Sequence, residues 1–325
     1  MKAIVQDEYG APDVLELRDI DKPEIGADEV LIRVHAAGVD RGVWHLMTGI
    51  PYFLRLIIPD LGLRAPKTPV PGSDVAGVVE AIGKDVTRFQ PGDEVFGVGK
   101  SSYAEYARAL ESKLASKPAN LTFEQAAVVP ISGLTGLQAV RDSGKVQSGQ
   151  KVLILGASGG VGTFAVQIAK SFGAEVTGVC NATKVDLVRS LGADHVIDYK
   201  HEDFAAREQR YDVIIDTGGH SSLSHLRRAL TPKGTLVIVG AETDGKWFGG
   251  FDRSIRAMLL SRFVSQQLVA FVNSENHEDL IVLSELIEAG KVTAVIDRTF
   301  PLSEAPKAIH YLKEGHARGK VAITV

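Results

Sequence analysis

The chain has 325 residues, 45% of them hydrophobic and 23% charged, with a net charge of −4. That length exceeds one typical domain and leaves ample core, while the weakly acidic balance gives no electrostatic footprint for nucleic acid or an anionic membrane. No apolar run reaches membrane-spanning length, the opening MKAIVQDEYG lacks a signal-peptide core, and the single cysteine, Cys180, excludes an intrachain disulfide framework, so a cytoplasmic protein is expected.

Residues 1 to about 117 read as short strands at 2–5, 14–17, 29–36, 74–82 and 94–97, broken by Gly and Pro. Pro91-Gly92-Asp93 is a turn, since Pro presets φ and Gly accepts positive φ. An irregular β-rich unit built as a small barrel is predicted. The stretch 48–67 is longer than a simple turn and reads as a loop with the reach of a lid. The rhythm changes near Leu121, where Thr122 is placed to cap a helix carrying residues 125–129.

From Lys151 strands and helices alternate. Strand 151–156 leads to helix 160–172, strand 175–180, helix 184–191 and strand 195–199, then strand 211–216, helix 221–230, strand 234–240, helix 251–260 and strand 264–272. Repeated β-α units predict a parallel sheet with helices on both faces. Helix 279–289, a strand at 295–299, helix 303–313 and strand 320–325 close the chain. The last strand has no crossover helix of its own, so it is expected to return to the first domain and make the parallel sheet an insertion.

The most informative run is Lys151-Val-Leu-Ile-Leu-Gly-Ala-Ser-Gly-Gly-Val-Gly162, with the helical Thr163-Phe-Ala-Val-Gln-Ile-Ala-Lys170 behind it. A strand, a tight turn and a helix N-terminus in that order hold a dinucleotide pyrophosphate. Gly156, Gly159 and Gly162 let backbone approach phosphate, and Ser158, Gly160 and Val161 share the turn. An ordinary β-turn-α connection is the alternative, and the legible flanking strand and helix favour the nucleotide. An acid at the end of the second strand would select NAD by binding the adenosine ribose. That strand instead ends Cys180-Asn181-Ala-Thr-Lys184, which accepts a 2′-phosphate, and Tyr199 at the end of the third strand is placed to flank it. Lys184 alone reads equally as a solvated first-turn residue. The missing acid decides for NADPH.

Several motifs occur in a fixed order: Val70-Pro-Gly-Ser-Asp-Val-Ala-Gly-Val-Val79, Pro91-Gly-Asp-Glu-Val-Phe-Gly97, Ser132-Gly-Leu-Thr-Gly136, the glycine turn, Leu191-Gly-Ala-Asp-His-Val-Ile-Asp-Tyr199 and Arg318-Gly-Lys-Val-Ala322. Together they resemble the medium-chain dehydrogenase/reductase superfamily, in its zinc-free quinone oxidoreductase-like branch, over essentially the whole chain. The resemblance implies an α/β fold in which a Rossmann doubly wound parallel sheet is inserted in a GroES-like β-rich catalytic domain. It implies boundaries at 1–120, 121–264 and 265–325, the outer two forming the catalytic domain, and a homodimer, often through the edge strand of the Rossmann sheet.

Zinc-binding relatives carry a Cys in the segment matching Ala37-Gly-Val-Asp40 and a His-Glu pair where Ser73-Asp74 stands here. The four-Cys structural loop is also missing, and the remaining histidines show no His-Glu-x-x-His spacing, so no metal is expected. Hydride transfer from NADPH to quinones or α,β-unsaturated carbonyls follows, with a proton reaching the resulting oxyanion from a donor or water. By the same resemblance Ser132, Gly133 and Thr135 lie along the nicotinamide half, with Val239, Gly240, Ala241 and 271–273, including Phe271, beside the ring. Arg318 is taken as a further cofactor contact. Asp40 replaces the Asn of many zinc-free relatives, which unsettles the usual nicotinamide-side hydrogen bond. Trp44, Ile50, Tyr52 and Phe53, read as loop residues, are expected against the substrate. Tyr52 is the first candidate proton donor and His45 the second, though both also read as structural. A short-chain dehydrogenase is excluded because no tyrosine has a lysine four residues later. A non-enzymatic NADPH-binding protein and an enoyl-thioester reductase remain as alternatives.

Overall fold

In the computed structural model, which describes residues 1–58, 61–240 and 245–325, the chain divides into two units. The first holds residues 1–134, 275–290 and 294–325; the second holds 135–274 and 291–293.

The spine of the first unit is the strand Glu29–Val39, whose apolar residues are buried along nearly its full length. One edge takes Asp74–Ile82, antiparallel. The other edge is shared, with Tyr106–Leu110 against residues 29–33 and Lys320–Thr324 against 36–39. Register shifts between Leu31 and Ile32 and between Val34 and Ala36 bend the spine, as bulges do. Glu94–Val98 and Leu114–Ser116 continue one side, and Ile296–Pro301 runs parallel to Lys320–Thr324 on the other. Val30, Ile32, Val34, Val75 and Val95 fill the core between these strands. The last strand thus pairs in the first unit, as its lack of a crossover helix led us to expect. Thr122 caps the helix Phe123–Ala127 in a reciprocal box, its Oγ1 accepting from Gln125 N at 3.3 Å while Gln125 Oε1 accepts from Thr122 N at 2.9 Å.

The second unit is built on a parallel sheet of six described strands. Their order is His195–Asp198, Glu175–Cys180, Lys151–Leu155, Tyr211–Asp216, Leu230–Ile238 and Gln267–Ala270. Chain direction through the sheet reverses between Lys151–Leu155 and Tyr211–Asp216, where doubly wound sheets open a crevice at the carboxyl ends of the strands. Leu153, Ile197, Tyr211, Ile214, Leu236 and Leu268 form the core under the helices.

Three sequence expectations need correction. The boundary at 264 falls short, because Gln267–Ala270, within the expected strand 264–272, pairs in register with residues 235–238 and the second unit runs to 274. The second strand is Glu16–Asp19 rather than 14–17, since Pro12–Val14 is spent on a helical turn. The supposed loop after Asp40 contains the helix Arg41–Thr48 and a short turn of helix, Leu54–Ile57. Asp40 caps the start of the first helix, and Gly49 (φ 61°) is the left-handed residue that ends it. The helix Pro130–Gln138 also escaped the sequence reading. Among the described residues no helix is long and apolar enough to cross a membrane.

Candidate active site

In the second unit three strand ends converge almost without side chains. Gly156 has φ 73°, and a Cβ there would stand 2.5 Å from Thr217 Oγ1. At Gly162 a Cβ would fall 2.1 Å from the Gly156 carbonyl oxygen, and at Gly240 it would fall 2.4 Å from the Thr217 carbonyl oxygen. Thr217 Oγ1 donates to Leu155 O at 2.7 Å and fixes the crossing. Gly159 precedes the twelve-residue helix Gly160–Ser171, and no described side chain caps it. Gly160, Val161 and Gly162 therefore present first-turn N–H groups at the positive end of the helix, with the buried Ser158 just before them. The turn fits a dinucleotide pyrophosphate: the donors are backbone N–H groups, and the glycines let strand, turn and helix approach at distances that no Cβ permits. Ala241 lies outside the described residues.

At the far end of the sheet, Asn181 Oδ1 accepts from Thr183 N at 3.3 Å and holds the turn Ala182–Lys184. Tyr199 is exposed beyond the neighbouring strand. Asp198 was missed by the sequence reading. It pairs with Cys180 in the parallel ladder, so a carboxylate stands one strand over from the end of Glu175–Cys180. It accepts from Lys200 N at 3.1 Å and from His201 Nδ1 at 2.5 Å, and the His201 hydrogen bond holds it below the ordinary carboxylate range. Burial pushes the Cys180 thiol up to about 11, which keeps it protonated and unreactive.

Ser132 and Thr135 are both buried on the helix Pro130–Gln138. Thr135 Oγ1 accepts from Asn273 Nδ2 at 3.4 Å, and Gln138 clasps Ser274 by two hydrogen bonds of 2.7 and 2.8 Å. Phe271 N donates to Ile238 O at 3.1 Å, continuing the pairing of the edge strand, and Gly240 N donates to Asp216 O at 3.0 Å. Asp216 is buried in an ion pair with Arg253, and its Oδ1 accepts from Gly219 N at 3.0 Å.

In the first unit the strand ends meet through charge. Asp74 is fully buried; its Oδ1 accepts from Ile131 N at 2.8 Å and its Oδ2 from Lys320 Nζ at 3.1 Å. Burial pushes the Asp74 carboxyl up to about 6, against the pull of Lys320 and with a further push from Asp40. Gly38 makes room for it, since a Cβ there would lie 2.7 Å from Asp74 Oδ2. Asp40 is buried, its Oδ1 accepting from Val43 N at 3.1 Å while Oδ2 has no partner among the described residues. Tyr103 donates to Gly38 O at 3.2 Å, and burial pushes its hydroxyl well up.

The aromatic candidates fall on structured backbone. Trp44 and His45 are on the helix Arg41–Thr48; Trp44 packs on the core with Lys313 Nζ 4.7 Å from its ring, and His45 Nδ1 donates to Ile50 O at 2.8 Å. Tyr52 lies under the Arg55 guanidinium at 4.8 Å, and Phe53 leads into Leu54–Ile57. Arg55 also donates to the carbonyls of Gly49 and Leu63, stitching the segment together. Arg318 is an exposed residue whose backbone N donates to Asp297 Oδ2 at 3.1 Å. One cavity of about 320 Å³ in this unit is lined by Leu46, Met47, Ile58 and Leu61, with Gly72 and Ser73, and not by Trp44, His45, Ile50, Tyr52 or Phe53. Among the described residues no three His, Cys, Asp or Glu side chains are grouped to hold a metal ion.

Residues 26–182 match the alcohol dehydrogenase GroES-like domain and residues 191–323 the zinc-binding dehydrogenase domain. The mitochondrial NAD(P)H oxidoreductase RTN4IP1 of Mus musculus is 36% identical, the alignment covering 100% of this chain and 89% of that protein. The chain belongs to the medium-chain dehydrogenase/reductase superfamily, in its quinone oxidoreductase-like branch. A chloroplastic NADPH-dependent alkenal/one oxidoreductase of Arabidopsis thaliana is 35% identical, over 99% of this chain and 79% of its own length. The solved quinone oxidoreductase of Coxiella burnetii superposes with a TM-score of 0.86 at 31% identity, covering 100% of this chain and 99% of that one. The GroES-like unit and the Rossmann sheet of this superfamily member are the two units described above.

Proposed function

We propose that the protein is an NADPH-dependent, metal-free reductase that delivers hydride to quinones or α,β-unsaturated carbonyls. The carrying observation is the side-chain-free cradle of Gly156, Gly162 and Gly240 at an uncapped helix N-terminus. Bound there, NADPH supplies the hydride. Residues 158–162 hold its pyrophosphate, Asn181, Lys184 and Tyr199 its 2′-phosphate, and Ser132, Thr135, Gly240 and Phe271 its nicotinamide half. Asp198 does not reverse the preference, since it is already engaged by His201 and Lys200. Ser73 and Asp40 offer no thiolate or imidazole for zinc, which suits acceptors that are already electrophilic.

The oxyanion left by hydride transfer must gain a proton. Neutral His45 has its one N–H on the Ile50 carbonyl, so it donates elsewhere only as imidazolium. Tyr52 remains the first candidate, with water as the other source. Dimerisation through Gln267–Ala270 is supported by the position of that strand at the sheet edge and by the exposed Ile255, Met258 and Leu259 on the preceding helix Phe251–Ser261. Steady-state reduction of a simple quinone and a simple enone tests the reading. We expect kcat/KM for NADPH at least about tenfold above NADH, a margin of about 1.4 kcal/mol, and no loss on chelation. Equal use of both cofactors, or activity lost to a chelator and restored by zinc, refutes it.

A further inference from the structure

We propose that Arg253 is a positioning residue that holds the backbone floor of the cofactor crevice in its binding shape. The inference rests on the NADPH reading for what fills the crevice, while the clamp itself stands on geometry within the second unit. The floor is residues 216–219, the turn that leaves the strand Tyr211–Asp216. On one side Thr217 N donates to Leu155 O at 3.2 Å, and a Cβ on Gly156 would stand 2.5 Å from Thr217 Oγ1. On the other side Asp216 O accepts from Val239 N and Gly240 N, both at 3.0 Å. The floor therefore joins the glycine turn to Gly240, and Gly218 and Gly219 leave it without side chains.

Two side chains grip the far end of this floor. Asp216, 1% exposed, accepts from Gly219 N through Oδ1 at 3.0 Å and from Arg253 Nη2 through Oδ2. Arg253 Nη1 donates to Gly219 O at 2.6 Å. Gly219 is thus held at its N–H and at its C=O while it keeps φ 73°, in the left-handed region. A loop glycine has many conformations open to it, and the two contacts together select this one. A planar guanidinium fork suits two acceptors at once, whereas a lysine ammonium is a compact point charge. The helix Phe251–Ser261 aims the fork: Ala257, on the same face one turn further along, is buried in the core, and Leu260 packs against that core. Gly219 N would lie 3.2 Å from a Cβ on Gly240, so a shift of Gly219 reaches the neighbouring strand end. Arg253 thereby fixes a surface that it does not itself form.

The test is NADPH binding by fluorescence titration, beside thermal unfolding of the unliganded protein. Arg253→Lys keeps a cation for Asp216 and gives up the forked grip on Gly219, and should weaken NADPH binding about tenfold. Leu260→Ala loosens the same helix from the core without touching the floor. It should lower the thermal midpoint and leave NADPH affinity within about twofold of wild type. In turnover the Arg253→Lys loss should appear in KM for NADPH and not in KM for a simple quinone. Normal NADPH binding by Arg253→Lys, an equal loss in Leu260→Ala, or a rise in both KM values overturns the proposal. Should Arg253→Lys not fold, the double variant Asp216→Asn with Arg253→Met takes its place, since it buries no charge and keeps an acceptor for Gly219 N. It should show the same loss, and normal binding by it overturns the proposal. A wild type that binds no NADPH overturns the NADPH reading and the proposal with it, whereas tight binding by wild type and variant alike overturns the proposal alone.

Discussion

In the second unit the strand ends at Leu155, Asp216 and Ile238 meet around glycines and backbone carbonyls, whereas in the first unit the strand ends at Val39, Asp74 and Lys320 meet around buried charges. Both places are tightly filled, but they are sensitive to different insults. A backbone cradle fails when any Cβ is added, whatever its charge, because carbonyl oxygens cannot step aside. A charge cluster tolerates shape and fails when a partner is removed or the proton count changes. Backbone dipoles are fixed and no pH alters them, whereas buried carboxyls change charge with pH.

The largest expected effect separates the two materials. Lys320→Met leaves the Asp74 carboxylate buried without its cation, and should cost about 3–5 kcal/mol in urea denaturation at pH 8. The double variant Asp74→Asn with Lys320→Met should recover most of that loss, because it buries no net charge. The loss should also shrink as pH falls. The folded Asp74 carboxyl sits near 6, above the ordinary value of about 3.9. Its protonated form is therefore the one that the fold favours, and its contribution to stability rises as pH drops from about 6 towards 4. An unchanged penalty at pH 5 would mean that Asp74 stays ionised and that the pair, not burial, sets its proton affinity.

Next comes Gly162→Ala. Its Cβ would fall 2.1 Å from the Gly156 carbonyl oxygen, so helix and turn must part. Overpacking of this kind costs about 1–3 kcal/mol, and we expect a fluorescence titration to show NADPH affinity down by about 100-fold, equally at pH 6 and pH 8. A variant that binds NADPH normally would show that the cradle has slack and that side chains carry the affinity.

The smallest effect calibrates both. Thr122→Ala removes one capping box, remote from the glycine cradle in sequence, and should lower stability by about 1 kcal/mol. NADPH affinity should not follow. If it falls with Thr122→Ala as it does with Gly162→Ala, loss of affinity in either variant reports general loosening.

The parallel sheet was legible because most of its strands are short apolar runs with a helix behind them. The glycine turn was legible for a related reason: only glycine satisfies the close approaches at Gly156 and Gly162, so the requirement is written in the residue type. The helix Arg41–Thr48 was not, since it is only eight residues long and is set by the Asp40 cap, a residue read instead as a cofactor contact. Trp44 and His45 were consequently read as pocket residues when the helix turns them to packing and to the Ile50 carbonyl. Asp198 was overlooked because it comes 18 residues after Cys180, and only strand pairing sets the two side by side.

By itself the sequence determined the order of elements, the insertion of a dinucleotide-type sheet between the two ends of the chain, and the backbone cradle. These depend on local periodicity and on residue types with steric consequences, which act within one or two dozen residues. Tertiary structure decided which charges meet. Asp74 and Lys320 are 246 residues apart, and Lys113 and Glu275, which also pair, are 162 apart. Electrostatic partners are chosen by distance and burial, and neither quantity exists until the strands have paired.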